Sequence, residues 1–143
     1  MLDEANIYNN EKDYHLLVNL LPSLLDINTN NAGIAFVAAN CYDHLYQYDK
    51  AEQLYLQAIE LNSSTYGPVF DLGLLYFKQS GVKQERGNIQ NMAQAVQWLE
   101  KANEISPNDS NCLQVLKMVY TQTGNNDKLN SINNQLKQLT NQE

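Results

Sequence analysis

The chain has 143 residues and sets sixteen acidic side chains against nine basic ones, for a formal charge of −7. That balance repels the phosphates of nucleic acid and of anionic membranes, and no basic cluster is large enough to track a backbone. No run of 18 apolar residues is present, and Met1 is followed by Asp3 and Glu4 rather than by a basic start and an apolar stretch. Neither a transmembrane helix nor a signal peptide is therefore expected within this chain.

Tyr8, Tyr42, Tyr76 and Tyr120 stand 34, 34 and 44 residues apart. A period in the thirties marks stacked helical hairpins, each too small to bury its own apolar face. The first copy, residues 1–31, places Ala5 and Tyr8 on a first helix and Leu17 and Leu24 on a second. Pro22 within that second helix removes a backbone donor and is expected to kink or split it. This copy starts about three residues short. We read the chain as the C-terminal piece of a longer repeat protein; the other reading is a worn N-terminal cap.

The second copy, residues 32–65, carries Ala39 and Tyr42, then Ala51, Leu54, Tyr55, Ala58 and Ile59. The last five fall at i, i+3, i+4, i+7 and i+8, one apolar stripe of a helix. Small residues at Ala39, Ala51 and Ala58 let paired helices approach closely. A tyrosine at matching height fills the space while its hydroxyl stays at the wet rim. Asn62, Ser63 and Ser64 then supply a turn. The third copy, residues 66–109, repeats the pattern with Leu72, Gly73, Tyr76, Ala95, Leu99, Ala102 and Pro107. Ten extra residues between Tyr76 and Ala95, placed near 80–91, read as a long inter-helix loop made locally basic by Lys78, Lys83 and Arg86. Trp98 is expected to pack under it. The fourth copy, residues 110–143, has Lys117 at the small position, then Tyr120, Leu129 and Leu136, with a turn at Gly124-Asn125-Asn126-Asp127. End copies need not seat a neighbour on both sides, which suits their leucines. Cys41 and Cys112 occupy buried packing positions of first helices and lack disulfide or metal spacing.

In joint register the copies resemble the tetratricopeptide repeat. The resemblance rests on small-x-x-Tyr in a first helix, on Ala, aromatic and Ala in a second, and on Pro107 at the end of the third copy. The inserted segment, with Ala95, Trp98, Leu99, Lys101 and Ala102, is similar to the Sel1-type variant. The resemblance implies one domain over 1–143, an all-α right-handed superhelix of about four hairpins. The pattern Ala-x-x-Trp-Leu-x-Lys-Ala, followed by Ile-Ser-Pro-Asn-Asp, resembles the ends of bacterial repeat proteins, many of them exported.

In such a stack the resemblance implies that first helices line a concave groove. The corresponding positions here are Phe36, Asn40, Asp43 and His44; Phe70, Leu74, Phe77 and Lys78; and Gln114, Met118, Thr121 and Gln122. Phe70, Leu74 and Phe77 recur at i, i+4 and i+7 on one face, so Leu74 and Phe77 are expected to remain partly exposed. The family's clamp for a peptide's terminal carboxylate corresponds to Phe36, Asn40, Asp71, Asn111 and Val115. Asn40 alone fits, and no cation remains to pair a carboxylate. An apolar or helical segment of a protein partner is the expected ligand. His15 and His44 lack a repeated catalytic partner, and no hydrolase, zinc or phosphate-loop motif occurs, so catalysis, cofactors and metals are not expected. Self-association of a structural repeat segment is the alternative reading.

Overall fold

The computed structural model describes residues 11–27, 30–82 and 86–141. Among these residues there are seven helices and no strand: α1 (Glu11–Ile27), α2 (Ala32–His44), α3 (Tyr48–Leu61), α4 (Tyr66–Val82), α5 (Arg86–Ile105), α6 (Ser110–Thr123) and α7 (Asn126–Asn141). Ala5 and Tyr8, expected on an eighth helix, lie outside the described residues. None of these helices is long and apolar enough to cross a membrane. The chain divides into two compact units, Met1–Ser64 and Thr65–Glu143, at the junction between the second and third copies.

In the first unit α1 packs on α2 and α2 on α3. Asn31 caps α2, its Oδ1 accepting from the Ile34 amide at 3.1 Å, which satisfies one of the donors a helix start leaves over. Ala38, Ala39, Ala51 and Ala58 are wholly buried, and the whole of Tyr55 is buried among them. The alanines bring α2 and α3 close enough for the tyrosine to fill the seam. The α2–α3 turn closes by two backbone bonds, Gln47 N to Tyr42 O at 2.9 Å and Tyr46 N to Asp43 O at 3.0 Å. This is the helix-ending arrangement that needs one left-handed residue. Tyr46 supplies it at φ 61. Pro22 does not split α1, which runs continuously from Glu11 to Ile27; Pro22 itself is exposed.

In the second unit α4 packs on α5, α5 on α6 and α6 on α7, and α4 also touches α6. Leu72, Leu75, Leu99, Leu113, Leu116 and Val119 form its buried centre. A Cβ on Gly73 would sit 2.8 Å from Leu99 Cγ and 3.1 Å from the Leu99 amide, so this close crossing requires glycine. Asp109 caps α6, accepting from the Cys112 amide at 3.1 Å. Gly124, at φ 72, ends α6 with Asn125 N bonded to Tyr120 O at 3.0 Å. The turn is the one seen at Tyr46, here built on the residue best suited to it. Trp98 is half-buried, with Lys101 Nζ 5.3 Å above its ring.

The ten-residue insertion is not the long loop expected of it. Residues 80–82 and 86–91 are helical, and Lys83 lies outside the described residues. Helices α4 and α5 have 17 and 20 residues, against 13 and 14 for α2 and α3. The difference is ten residues, so the insertion lengthens both arms of the hairpin. Leu24 also departs from the packing of its counterparts: it is 41% exposed where Ala58 and Ala102 are fully buried.

Candidate functional site

The expected groove residues fall in both units. In the first, Phe36, Asn40, Asp43 and His44 all lie on α2. Phe36 is half-buried, its ring 6.2 Å from that of Tyr55. Tyr55 crosses from α3 and places its hydroxyl 3.0 Å from both Asn40 Oδ1 and Asp43 Oδ2, donating between them. Asp43 is 8% exposed, so it belongs to the helix pair rather than to an open groove. Asn40, the one residue that fits the carboxylate clamp, is engaged by the same phenol. His44 is exposed and stacked on Tyr14 of α1, with centroids 4.4 Å apart and planes within 13°. Burial, with a smaller contribution from Cys41, pushes the Tyr14 phenol above its ordinary value. Sequence reasoning missed both partners. Tyr55 was legible as a buried aromatic, but the direction of its hydroxyl follows from the α2–α3 crossing.

In the second unit Phe70, Leu74 and Phe77 of α4 are half-buried and Lys78 is exposed. Leu74 and Phe77 thus keep part of their surface in solvent, as their spacing predicts. Phe70 is stacked on Tyr66, 5.5 Å away at 9°. Burial first, then Cys112 and Asp109, drives the Tyr66 phenol well above its usual range. On α6, Gln114, Met118 and Gln122 are exposed and, with Lys117 and Thr121, border an open depression of about 340 Å³. Met118 is 47% exposed. The face offers apolar surface and neutral amides, with one lysine at its margin.

A second depression, of about 330 Å³, lies away from these residues among Glu100, Asn103, Tyr120, Lys128 and Gln135. At its wall Glu100 Oε2 accepts from the Tyr120 hydroxyl at 2.7 Å and from Lys128 Nζ at 2.6 Å. Lys128 also stands 5.8 Å above the Tyr120 ring. Its counterpart eight residues after the second copy's tyrosine does the same, Lys50 lying 5.3 Å above Tyr42. Both cysteines are buried and free. Burial raises the Cys41 thiol and, with Asp109, pushes Cys112 up to about 11. Burial of this kind favours the protonated thiol, the less reactive form. Among the described residues no group of three or more His, Cys, Asp or Glu could hold a metal ion.

Residues 32–65 and 85–109 match the tetratricopeptide repeat family. No curated protein matches the chain in sequence. Several solved structures share its fold. A crystal structure of MamA superposes with a TM-score of 0.71 at 18% identity, covering 87% of this chain and 66% of that one. TTC0263, a thermophilic TPR protein of Thermus thermophilus, gives 0.70 at 18% identity, over 87% of this chain and 64% of its own. The first TPR of Spaghetti (RPAP3), solved with the HSP90 peptide SRMEEVD, gives 0.69 at 19% identity, over 85% and 89%. The chain spans about two thirds of the length of the first two. At these identities the likeness establishes the fold, an all-α superhelical repeat.

Proposed function

We propose that the chain, whose residues 32–65 and 85–109 match the tetratricopeptide repeat family, is a non-catalytic protein-interaction module that receives an apolar or helical segment of a partner on its first helices. The observation that carries this reading is the face of α4 on which Leu74 and Phe77 stay partly exposed, beside α6 with its exposed Met118. Large apolar side chains in this state release surface from water when a partner covers them, worth roughly 1.5–3 kcal/mol each at full burial. A relative of this fold has been solved with an HSP90 peptide. An acidic, carboxylate-ended ligand of that kind suits this chain poorly. Its clamp positions hold no cation, and Asn40 already accepts from Tyr55.

The α4 and α6 residues Phe70, Leu74, Phe77, Lys78, Gln114, Met118 and Gln122 form the proposed contact. Phe36 and Asn40 on α2 are a second patch in the other unit, with Asp43 and His44 committed to Tyr55 and Tyr14. The test is selection of binders from a library of amphipathic helical peptides, followed by titration. Leu74→Ala and Phe77→Ala are each expected to weaken the selected peptide about tenfold or more. Unchanged affinity in both variants would remove the α4 face from the function.

A further inference from the structure

The turn between α3 and α4 carries Asn62-Ser63-Ser64, an asparagine with a serine two places on. Asn108-Asp109-Ser110, ahead of α6, is the other such triplet in the sequence. A triplet of this kind is the acceptor pattern for an N-linked glycan where it lies on a surface loop. The two triplets lie in different local structures. We infer that Asn62 is a glycan-acceptor site and that Asn108 is not.

Access is the first observation. Residues 60–65 are all exposed, so an enzyme reaches the whole triplet and both its flanks. Side-chain geometry is the second. The Ser64 hydroxyl donates to Asn62 Oδ1 at 3.0 Å, and the Ser64 backbone amide donates to the same oxygen at 3.3 Å. A backbone N–H can only donate, so the atom it meets is the carboxamide oxygen, and Nδ2 points away from both bonds. That nitrogen is the atom a glycan bonds to. At the other triplet Asp109 accepts from the Cys112 amide at 3.1 Å as the cap of α6, and Ser110 is the first residue of that helix. Taking up the turn seen at Asn62 would therefore cost the cap. The third observation concerns the thiols. Glycan transfer to asparagine belongs to secreted proteins and so to oxidising compartments, where exposed cysteines cross-link. Cys41 and Cys112 are both buried, so the folded chain is compatible with such a compartment.

The transfer joins Asn62 Nδ2 to the anomeric carbon of a saccharide carried on a polyprenyl diphosphate. The carbon–oxygen bond to the diphosphate breaks, and the diphosphate leaves with the bonding pair. The amide nitrogen gives up one proton to a base of the transferase. Nothing is oxidised or reduced, and the lipid-linked saccharide is the co-reactant.

The test incubates the folded full chain with an oligosaccharyltransferase active on Asn-x-Ser peptides and with its lipid-linked saccharide, and reads the intact mass. A gain of a single glycan is expected. Asn62→Gln and Ser64→Ala should each abolish the gain, Ser64→Thr should keep it, and Asn108→Gln should leave it unchanged. Asn62, Ser64 and Asn108 are all exposed, so far-UV circular dichroism is expected to be the same in every variant. No mass gain on the folded chain, a gain that survives Asn62→Gln, or one indifferent to Ser64→Ala would each overturn the inference.

Discussion

Position 46 holds a tyrosine in the left-handed conformation, φ 61, where the equivalent turn of the fourth copy has Gly124 at φ 72. A side chain there costs about 1–2 kcal/mol. Tyr46→Gly is therefore expected to stabilise the chain by about 1 kcal/mol in urea melts, after the extra unfolded-state freedom of glycine is counted. Gly124→Ala should lose a similar amount. Gly73→Ala is a different case, because its Cβ meets Leu99 Cγ at 2.8 Å and the Leu99 backbone at 3.1 Å. We expect a cost of about 1–3 kcal/mol from the forced separation of α4 and α5. Tyr55→Phe leaves the volume unchanged and removes the donor between Asn40 and Asp43. A loss of about 1–3 kcal/mol in the same melts is expected, since Asp43 is buried and loses its phenol. An unchanged midpoint would mean that water replaces the hydroxyl without penalty.

Helices and their register were legible because burial constrains volume at fixed positions. Ala39, Ala51, Ala58, Gly73, Ala95 and Ala102 recur where neighbouring helices meet, and Tyr42, Tyr76 and Tyr120 are all buried at matching height. The insertion was misread for a local reason. Gly81 and Gly87 punctuate a polar stretch, which resembles a loop, yet Gln90, Asn91 and Met92 continue α5. Gly81 has nothing within 4 Å of a built Cβ, so its glycine answers no packing or turn requirement that the sequence could have advertised. The partnerships of Asn40, Asp43 and His44 were not legible, since each depends on the angle at which a second helix crosses the first. At this scale the test is Gly81→Ala. A glycine inside a helix, in open space, costs up to about 1 kcal/mol relative to alanine. The change should stabilise α4 by about that much and raise helicity; a loss of stability would favour a loop at this point.

For the molecule as a whole, alkaline pH is the informative variable. Cys112 is pushed from an ordinary 9 to about 11, and the Tyr66 and Tyr120 phenols move in the same direction through burial. A raised folded value means that the native state holds the proton more tightly than the unfolded chain. The resulting stability is whole below the unfolded value and drains as pH rises through the folded one. Thermal midpoints are expected to hold up to about pH 9 and then to fall as pH approaches about 11. A flat profile across that window would show that these groups are not held neutral by the fold.

Trp98 has a further consequence. It is the chain's single tryptophan, and it lies on α5, inside the second compact unit. The first unit holds Tyr8, Tyr14, Tyr42, Tyr46, Tyr48 and Tyr55 and no indole at all. Fluorescence excited at the indole alone therefore watches one unit, while helical dichroism watches both. The chain is in effect labelled at one end, without any dye. Repeat arrays lose stability copy by copy when coupling between neighbours is weak. Here the indole signal is expected to persist to higher urea than the dichroism midpoint, because α1 is the helix with the most exposed leucine. If both signals fell together, the two units would be melting as one.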